Sequence, residues 1–469
     1  MGDYLKNKCI FCFVATLSIL ACNAPAMFDA GMLQEEPVVQ GIESQPQSEE
    51  EPVVSAAPLG PPPSDDVLIP DDFNYLGAFR LPEESGGSNW DYSGRGLTYY
   101  PEGEPSGVAD GFPGSLFGVG HDHQQYVSEI SIPAPVISRN FEDLPTAVTL
   151  QPFVDITEGM FGETELPRLG LQYLPPQEGQ TTGKLHFVHG QHFQDFEPSH
   201  GWSELDLAHP NAAGAWNMNG YTNYVTSDYV FEIPESWANA LPGSPRLATG
   251  RFREGVWGGL GPALFAFSPW KEGNPPVSGA TLHAVTPLLL YGEQEPGLTD
   301  VLSDESMKMN GYLEPDHWWD GAWLTAGDKS AVVFVGTKAM GTAWYGFSNG
   351  IVWNYDCADQ NPPTCPDPPE WPYDNRGYWA DDYQPQIIFF DPADLVKVAN
   401  GETESWQPQP YAILDLSGEF YDPRTNVEEY KQDITGAMAY DRQNGLVYVI
   451  ERLAEEYKSV IHVWQIQAE

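Results

Sequence analysis

Two short segments rich in histidine are the first candidates for chemistry in this chain. His121 and His123 form a His-x-His pair, and His189 and His192 lie three residues apart further along. Imidazole nitrogens bind zinc, copper, nickel and iron, especially beside a carboxylate. A divalent metal held by these four histidines is therefore one interpretation, and the sequence identifies no other cofactor. Two interpretations stay open beside it: the histidines line a site for substrate hydroxyl groups, or they hydrogen-bond the backbone of their own loops.

Carboxylates offer a second chemistry, acid–base hydrolysis. Glycosidases use two carboxyl groups about 5–5.5 Å apart when they retain configuration and about 6.5–9.5 Å apart when they invert it. Asp122, Asp320 and Glu451 are the candidate catalytic residues, with Asp433 as a further acid at a comparable place. The competing explanation is that acidic residues occur at these places by chance, because the chain contains 67 Asp and Glu residues.

These residues can meet only if a repeated structural unit brings them together. From about residue 67 onward, short apolar runs recur between turn signals, and sustained helical periodicity is almost absent. A run that starts with glycine marks the first strand of a unit, and a second run follows most of them. The first runs begin at Gly96, Gly170, Gly261, Gly321 and Gly436, and the second runs begin at Leu116, Leu185, Leu288, Val332 and Val447.

Antiparallel sheets of about four strands, repeated along a chain, predict an all-β fold and a single β-propeller. Five blades are visible, and a sixth can be placed in 190–226 or in 341–385. The run 75–81 precedes the first unit, and we expect it to complete the last blade and close the ring, which protects the sheet edges. A β-sandwich or a two-domain β protein is the alternative. Short helices are expected near 234–239 and 392–397.

The predicted propeller places the unusual side chains on one face. The innermost strands line the channel, and the loops after the second strands share a face with the connections between blades. Such convergence from separate blades can build a ligand site. The candidate ligand-binding residues on this face are Arg95, His121, His123, Arg168, His189, His192, His317, Trp319 and Lys338.

The segment 341–385 is an insertion rich in Trp, Tyr and Asp. This composition suits the binding of sugar rings or of a protein partner. It equally suits a small core that makes a long loop rigid. It holds Cys357 and Cys365. In an oxidising compartment this pair predicts a disulfide. Closing so short a loop stabilises by about 2–3 kcal/mol in the chain-entropy description.

The first 23 residues resemble the export signal of a bacterial lipoprotein. Two lysines precede an apolar stretch of about a dozen residues, which is too short to span a bilayer. The stretch ends in Ile-Leu-Ala-Cys, which resembles a lipobox. The resemblance implies that residues 1–21 are removed, that Cys22 is lipidated, and that the protein is exported to the bacterial envelope. Asn23 favours the outer membrane or cell surface over the inner membrane. An ordinary signal peptide cleaved nearby is the alternative.

The chain is strongly acidic, with a net charge of -46. Residues 1–22 carry +1 and residues 23–72 carry -11, so the remainder keeps -36. Residues 22–66 are rich in Pro, Glu and Ser and predict a disordered acidic tether, followed by the propeller domain at 67–469. Such a charge argues against nucleic acid as a partner and favours a monomer that meets a membrane only through its lipid anchor.

Together these features predict an exported surface lipoprotein whose propeller binds or hydrolyses an extracellular ligand, in the first place a carbohydrate. A non-enzymatic propeller for protein interaction or structure is one alternative. A metal-dependent enzyme that uses the histidine loops is another. If the protein is an enzyme, a hydrolase is expected. The sequence contains no G-x-S-x-G elbow, Walker loop or dinucleotide-binding fingerprint.

Overall fold

The computed structural model describes residues 62–104, 111–162, 164–191, 197–251, 257–295, 301–358, 360, 362–421 and 431–467. The expected lipidation site Cys22, most of the expected tether and the histidine His192 lie outside these residues.

Within the described residues, strands are the main regular structure and helices are few and short. In chain order the strands are β1 (Phe73–Arg80), β2 (Leu97–Tyr100), β3 (Ser115–Val119), β4 (Val127–Ser131), β5 (Thr149–Val154), β6 (Arg168–Leu174), β7 (Lys184–Gly190), β8 (His200–Ser203), β9 (Ala213–Met218), β10 (Tyr229–Glu232), β11 (Leu247–Gly250), β12 (Leu264–Phe267), β13 (Thr281–Leu282), β14 (Thr286–Leu289), β15 (Glu293–Gln294), β16 (Val301–Leu302), β17 (His317–Ala326), β18 (Lys329–Phe347), β19 (Arg376–Phe390), β20 (Ala412–Asp415), β21 (Thr435–Asp441), β22 (Leu446–Glu455) and β23 (Lys458–Ile466). The α-helices are α1 (Asn223–Thr226), α2 (Glu235–Ala238) and α3 (Pro392–Ala399), and 3-10 helices occur at Pro70–Asp72, Phe141–Asp143, Pro269–Glu272, Glu305–Met307 and Tyr355–Cys357.

The strands form five sheets arranged as a five-bladed β-propeller, which confirms the predicted fold. From the inside outward, blade 1 is β2-β3-β4-β5 and blade 2 is β6-β7-β8-β9, with β13 added to its outer edge. Blade 3 is β10-β11-β12-β14 and blade 4 is β17-β18-β19-β20. Blade 5 is β21-β22-β23, and its fourth strand is β1. The short pair β15-β16 stands apart from the blades.

The N-terminal strand closes the ring, as the sequence predicted. Strand β1 pairs antiparallel with β23, and the register of the pairing shifts at Gly77. The backbone of Gly77 has a φ of 121° there, which favours glycine. The next residue, Ala78, exchanges backbone hydrogen bonds with Val136 of blade 1. Strand β1 is therefore bound on one side to β23 of blade 5 and also to the segment between β4 and β5 of blade 1.

The core consists of apolar layers between neighbouring blades. Strand β18 shows the reason, because its successive side chains point to opposite faces of the blade. Val332 and Phe334 pack in a cluster with blade 3, whereas Val333 and Val335 pack in a cluster with blade 5. Since neighbouring blades cover both faces of β18, its run 331–335 is apolar from one residue to the next, and this is why the sequence shows runs instead of alternation.

One blade was assigned wrongly from the sequence, although the number of blades was right. The runs at Gly261 and Leu288 were expected to be the first and second strands of the third unit, but they form its third and fourth strands, β12 and β14. The run at Val230 was expected to end the second unit, but it is the innermost strand β10. The outer strands of blade 2 caused the error, because β8 (HGWS) and β9 (AGAWNM) are short and mix small, polar and apolar residues.

The two segments considered for a sixth blade have other roles. Residues 190–226 include the outer strands β8 and β9 of blade 2, and residues 341–385 lengthen the β18-β19 hairpin of blade 4. Cys357 and Cys365 form the predicted disulfide in this hairpin, with their Cα atoms 4.7 Å apart. The expected helices are present as α2 and α3. None of the helices that the structure describes has the length and apolarity needed to cross a bilayer.

Candidate functional site

Charged residues from all five blades collect where the innermost strands begin. Because the second strand of a blade runs antiparallel to the first, its C-terminal end reaches this same face. At the start of the first strands lie Arg95, Arg168, Asp228, His317 and Asp433. On the second strands or just after them lie Asp122, His189, Arg251, Lys338 and Arg452. The predicted face therefore exists, and each blade contributes to it.

An ion network at this face joins blades 1, 4 and 5. Asp122 receives a hydrogen bond of 2.6 Å from Arg452 and lies 3.4 Å from Nε of Arg95. Asp433 lies 3.4 Å from Arg95, 3.3 Å from Arg452 and 3.6 Å from Nδ1 of His317. Burial acts to raise the pKa of Asp433, but the neighbouring Arg95, His317 and Arg452 together hold this pKa well below its usual range. Asp433 is thus ionised, and the two carboxylates together connect three blades.

Trp319 lies against two of the arginines. The guanidinium carbons of Arg95 and Arg168 are each 4.2 Å from the centroid of the Trp319 ring, a geometry typical of cation–π contacts. The ring of His317 meets Trp319 edge-on at 4.6 Å. Four of the predicted ligand-binding residues therefore come together. All four are buried, so the centre of the face is largely filled by their own contacts.

Blade 3 adds a pair that the sequence analysis missed. The carboxylate of Asp228, just before β10, lies 3.5 Å from Nε of Arg251, just after β11, and both side chains are buried. The guanidinium of Arg251 is also 5.6 Å from the ring of Tyr224. Recognition of β10 as an innermost strand would have identified Asp228 as a candidate site residue. Asp228 directly precedes the innermost strand of blade 3, much as Asp433 precedes that of blade 5.

The three candidate catalytic carboxylates have separate partners. Asp122 belongs to the ion network described above. Asp320 is buried and accepts hydrogen bonds from the backbone of Gly321 and of Met438 in blade 5, and burial raises its pKa well above the usual range. Glu451 is buried and lies 2.8 Å from Nε2 of His462. Asp320 and Glu451 thus serve buried contacts within and between blades.

Lys338 is likewise held in a buried pair. Its ammonium group lies 2.8 Å from the carboxylate of Asp316 and also donates to the backbone carbonyl of Ala339. Asp316 is fully buried. Burial raises the pKa of Asp316, although Lys338 lowers it in part. Lys338 therefore connects β18 to Asp316, the residue that precedes β17.

The described histidines of the two candidate segments lie at the edge of the same face. Nδ1 of His121 accepts a hydrogen bond of 3.2 Å from the backbone N–H of His123, which leaves the proton of the neutral ring on Nε2. The two rings stack with centroids 5.4 Å apart. His189 stacks almost parallel on Phe161 at 4.4 Å. Burial lowers the pKa of His121, with a further contribution from His123, and burial lowers the pKa of His189 to about 4. Both rings are therefore neutral near pH 7.

Two open depressions adjoin these histidines and share His123 and Gln124. The first has a volume of about 660 Å³ and lies between the 84–89 loop and the loop after β3. The second has a volume of about 400 Å³ and extends toward blade 2 and His189. Gln124 donates a hydrogen bond to the carbonyl of Gly87, which ties the two loops of the first depression together. The polar side chains around the two depressions include Ser85, Ser88, Asn89, His121, Gln125, Thr157 and Thr164.

Metal ligation by the histidines stays a prediction. Within the part of the chain that the structure describes, no three His, Cys, Asp or Glu side chains are grouped closely enough to hold an ion. His192, the fourth expected ligand, is outside that part. The loop that carries His121 and His123 does face strand β7 across the second depression, since both residue 123 and residue 189 line it.

No protein-family model matches the chain, and no curated protein matches its sequence at a significant level. The geometry of the described residues is therefore the basis for assigning a function.

Proposed function

We propose that this protein is an exported, lipid-anchored β-propeller that recognises a neutral ligand rich in hydroxyl groups, a carbohydrate, in the two adjoining depressions at His121, His123 and His189. The observation that carries the proposal is the continuity of the two depressions through His123 and Gln124. A ligand with several hydroxyl groups can contact both at once.

The lining of the depressions supports a neutral ligand. Neutral imidazoles, amides and hydroxyls each donate and accept hydrogen bonds, as sugar hydroxyls do. His121 and His189 are neutral near pH 7 because burial lowers the pKa of each ring. The arginines of the central network, which would suit an anionic ligand, are buried against aspartates and Trp319 and line neither depression.

The carboxylates at the depressions favour recognition over hydrolysis. Asp155 lines the second depression, but both of its oxygens accept hydrogen bonds from its own loop, from Thr157 and from the backbone of Gly159. Glu84 lines the first depression from an exposed position. A glycosidase needs two carboxyl groups at a defined separation across the bond that breaks, whereas a binding site needs only complementary hydrogen bonds.

The location outside the cytoplasm rests on two features of the chain. The disulfide between Cys357 and Cys365 suits an oxidising compartment. The N-terminal sequence resembles a lipoprotein signal with Cys22 as the lipidated residue. An acidic segment between this residue and the first described strand would hold the propeller away from the envelope.

A glycan array probed with the labelled mature protein tests the proposal, followed by calorimetry with the best neutral oligosaccharide. His123→Ala removes a side chain shared by both depressions. The loss of one or two hydrogen bonds to the ligand should weaken binding by about 3- to 30-fold. His209→Ala is the matched control, because His209 is an exposed histidine on a different loop.

Two results would count against this function. One is the absence of binding to any neutral glycan by a folded protein. The other is equal affinity of wild type and His123→Ala for the glycan that binds. Release of shorter products during a long incubation would instead identify a hydrolase, and the loss of that release in Glu84→Gln would locate its acid.

A further inference from the structure

The long hairpin of blade 4 extends well beyond the sheet of its blade. Strands β18 and β19 stay paired from Lys338 and Gln384 out to Phe347 and Arg376, past the last pairing of β19 with β20. The loop at its end carries the disulfide between Cys357 and Cys365. This projecting hairpin lines neither of the two depressions, so a partner bound to it would be independent of the proposed carbohydrate site.

Aromatic rings of the hairpin make cation–π contacts with two basic side chains of the same chain, Arg376 and Lys431. The guanidinium of Arg376 lies 4.3 Å from the ring centroid of Trp353 and 5.9 Å from that of Tyr345. The ammonium of Lys431, from the segment before blade 5, lies 5.8 Å from the ring of Trp379. The hairpin is therefore built of aromatic faces that attract positive charge.

Two further rings at the tip are exposed. The side chain of Trp371 is 73% exposed and that of Tyr373 is 37% exposed. Among the residues that the structure describes, neither ring stacks on another ring or lies against a cation. Exposed carboxylates flank the pair on both sides, Glu370 before it and Asp374 after it. Asp356 and Asp367 add two more exposed acids in the same loop.

We propose that the tip of this hairpin, at Glu370, Trp371, Tyr373 and Asp374, is a docking surface for an arginine- and lysine-rich segment of a partner protein. Aromatic faces beside carboxylates bind guanidinium and ammonium groups through cation–π contacts and ion pairs together. The tip repeats with exposed rings the arrangement that Arg376 and Trp353 show within the chain.

Charge decides the kind of occupant. A second copy of this chain carries the same net charge of -46, and its own surface would repel the acidic tip. Nucleic acid and anionic lipid are repelled for the same reason. A basic protein segment is attracted at long range by the whole acidic surface and is then held at the tip, where rings and carboxylates stand together.

Fluorescence anisotropy with a labelled nona-arginine peptide and the full mature chain tests this surface. The measurement is made at about 0.3 M salt, where diffuse attraction between exposed charges is screened within several ångströms. Trp371→Ala with Tyr373→Ala should lower the affinity about fivefold or more, as expected for two exposed cation–π contacts. Glu370→Gln with Asp374→Asn should lower it severalfold, and a nona-serine peptide should not bind.

Matched controls separate the tip from the rest of the acidic surface. Trp257 and Tyr457 are 41% and 47% exposed, and their replacement by alanine removes two aromatic rings elsewhere. Glu178→Gln with Asp328→Asn removes two exposed charges elsewhere. Both control pairs should change the affinity less than twofold, and a retained melting temperature shows that each variant folds.

Three outcomes would overturn the docking surface. The wild type does not bind nona-arginine at this salt concentration, or the tip and control variants lose affinity alike, which indicates diffuse attraction. The third outcome is that the variants at Trp371 and Tyr373 still bind the peptide but no longer bind a neutral glycan. That result would make the tip part of a carbohydrate site.

Discussion

The guanidinium of Arg452 donates a hydrogen bond of 2.6 Å to the carboxylate of Asp122. This contact joins the second strand of the last blade to the loop after the second strand of the first blade. It lies on the same seam of the ring at which β1 completes blade 5, so that side chains and backbone close the propeller together.

Removal of Asp122 tests the contribution of this contact to stability. Asp122→Ala leaves the guanidinium groups of Arg95 and Arg452 buried with only Asp433 as a shared carboxylate. The loss of hydrogen bonds to a charged group should lower the free energy of unfolding by about 1.5–3 kcal/mol. Urea denaturation measures this change. Asp206→Ala removes only exposed hydrogen bonds, with His209 and with the backbone N–H of Ala208, and should leave the unfolding midpoint nearly unchanged. Equal midpoints for both variants would mean that the seam does not depend on Asp122.

The backbone part of the closure depends on Gly77. A Cβ atom at this position would lie 2.4 Å from the carbonyl carbon of Val136, and the φ of 121° already disfavours any side chain. Gly77→Ala should therefore cost about 2 kcal/mol or more. Gly279→Ala is the control, because Gly279 has a φ of +76° but open space around the added atom. Only backbone strain applies at Gly279, at about 1 kcal/mol. In thermal unfolding, Gly77→Ala should therefore lower the melting temperature more than Gly279→Ala does.

Buried histidines make stability fall in mild acid. His186 and His200 lie in blade 2, and burial lowers the pKa of each to about 3. Histidine in the unfolded chain has a pKa of about 6.5, so the unfolded state binds more protons below that pH. Stability is therefore complete above about pH 6.5 and is lost as the pH falls toward about 3.

His186→Gln isolates one of these groups. Nε2 of His186 lies 2.8 Å from the side-chain oxygen of Gln180, and a glutamine amide can replace this donor. Between about pH 6 and about pH 5, the variant should lose about 1 kcal/mol less unfolding free energy than the wild type. The difference between the two proteins is the useful quantity, because buried carboxyls such as Asp320 titrate in the opposite sense. The same pH dependence in both would contradict a neutral, buried His186.

The disulfide should stabilise the tip of the hairpin and leave the ring unaffected. Cys357 and Cys365 close a short loop, within which the backbone N–H of Thr364 donates to the carbonyl of Cys357. Cys357→Ser with Cys365→Ser should lower the local stability of this loop by about 2–3 kcal/mol. Hydrogen exchange at Thr364 should become faster, while exchange in β22 of blade 5 stays as in the wild type. Faster exchange in both places would show that the tip and the ring unfold together.

The number of blades was predictable because stretches such as the first half of β18 are buried on both faces of their sheet. Runs such as 331–335 therefore remain apolar from one residue to the next, and they are visible without any partner. The third and fourth strands of blade 2 were not visible, since β8 and β9 are short and mix small, polar and apolar residues. The error in blade 3 arose directly from this, and it hid the pair of Asp228 and Arg251.

The sequence predicted that several polar and aromatic residues share one face, but not which contacts they make there. Arg95, Arg168, His317 and Trp319 were expected on one face and do meet there. Two contacts depend on distances between blades that are far apart in sequence: Arg95 and Arg452 share Asp122 and Asp433, and the open space lies beside His123. Spacing along the chain contains no information about such distances.

The sequence by itself determined the fold class, the count of blades, the closing strand and the disulfide, because local apolar runs and a short loop between two cysteines specify these features. The tertiary structure decided which polar groups neutralise one another and which remain open to a ligand. Burial and the opposing charge from neighbouring blades are the physical reason. They bind the central arginines to their aspartates, and they leave the neutral histidines at the edge and the aromatic pair at the hairpin tip available for contact.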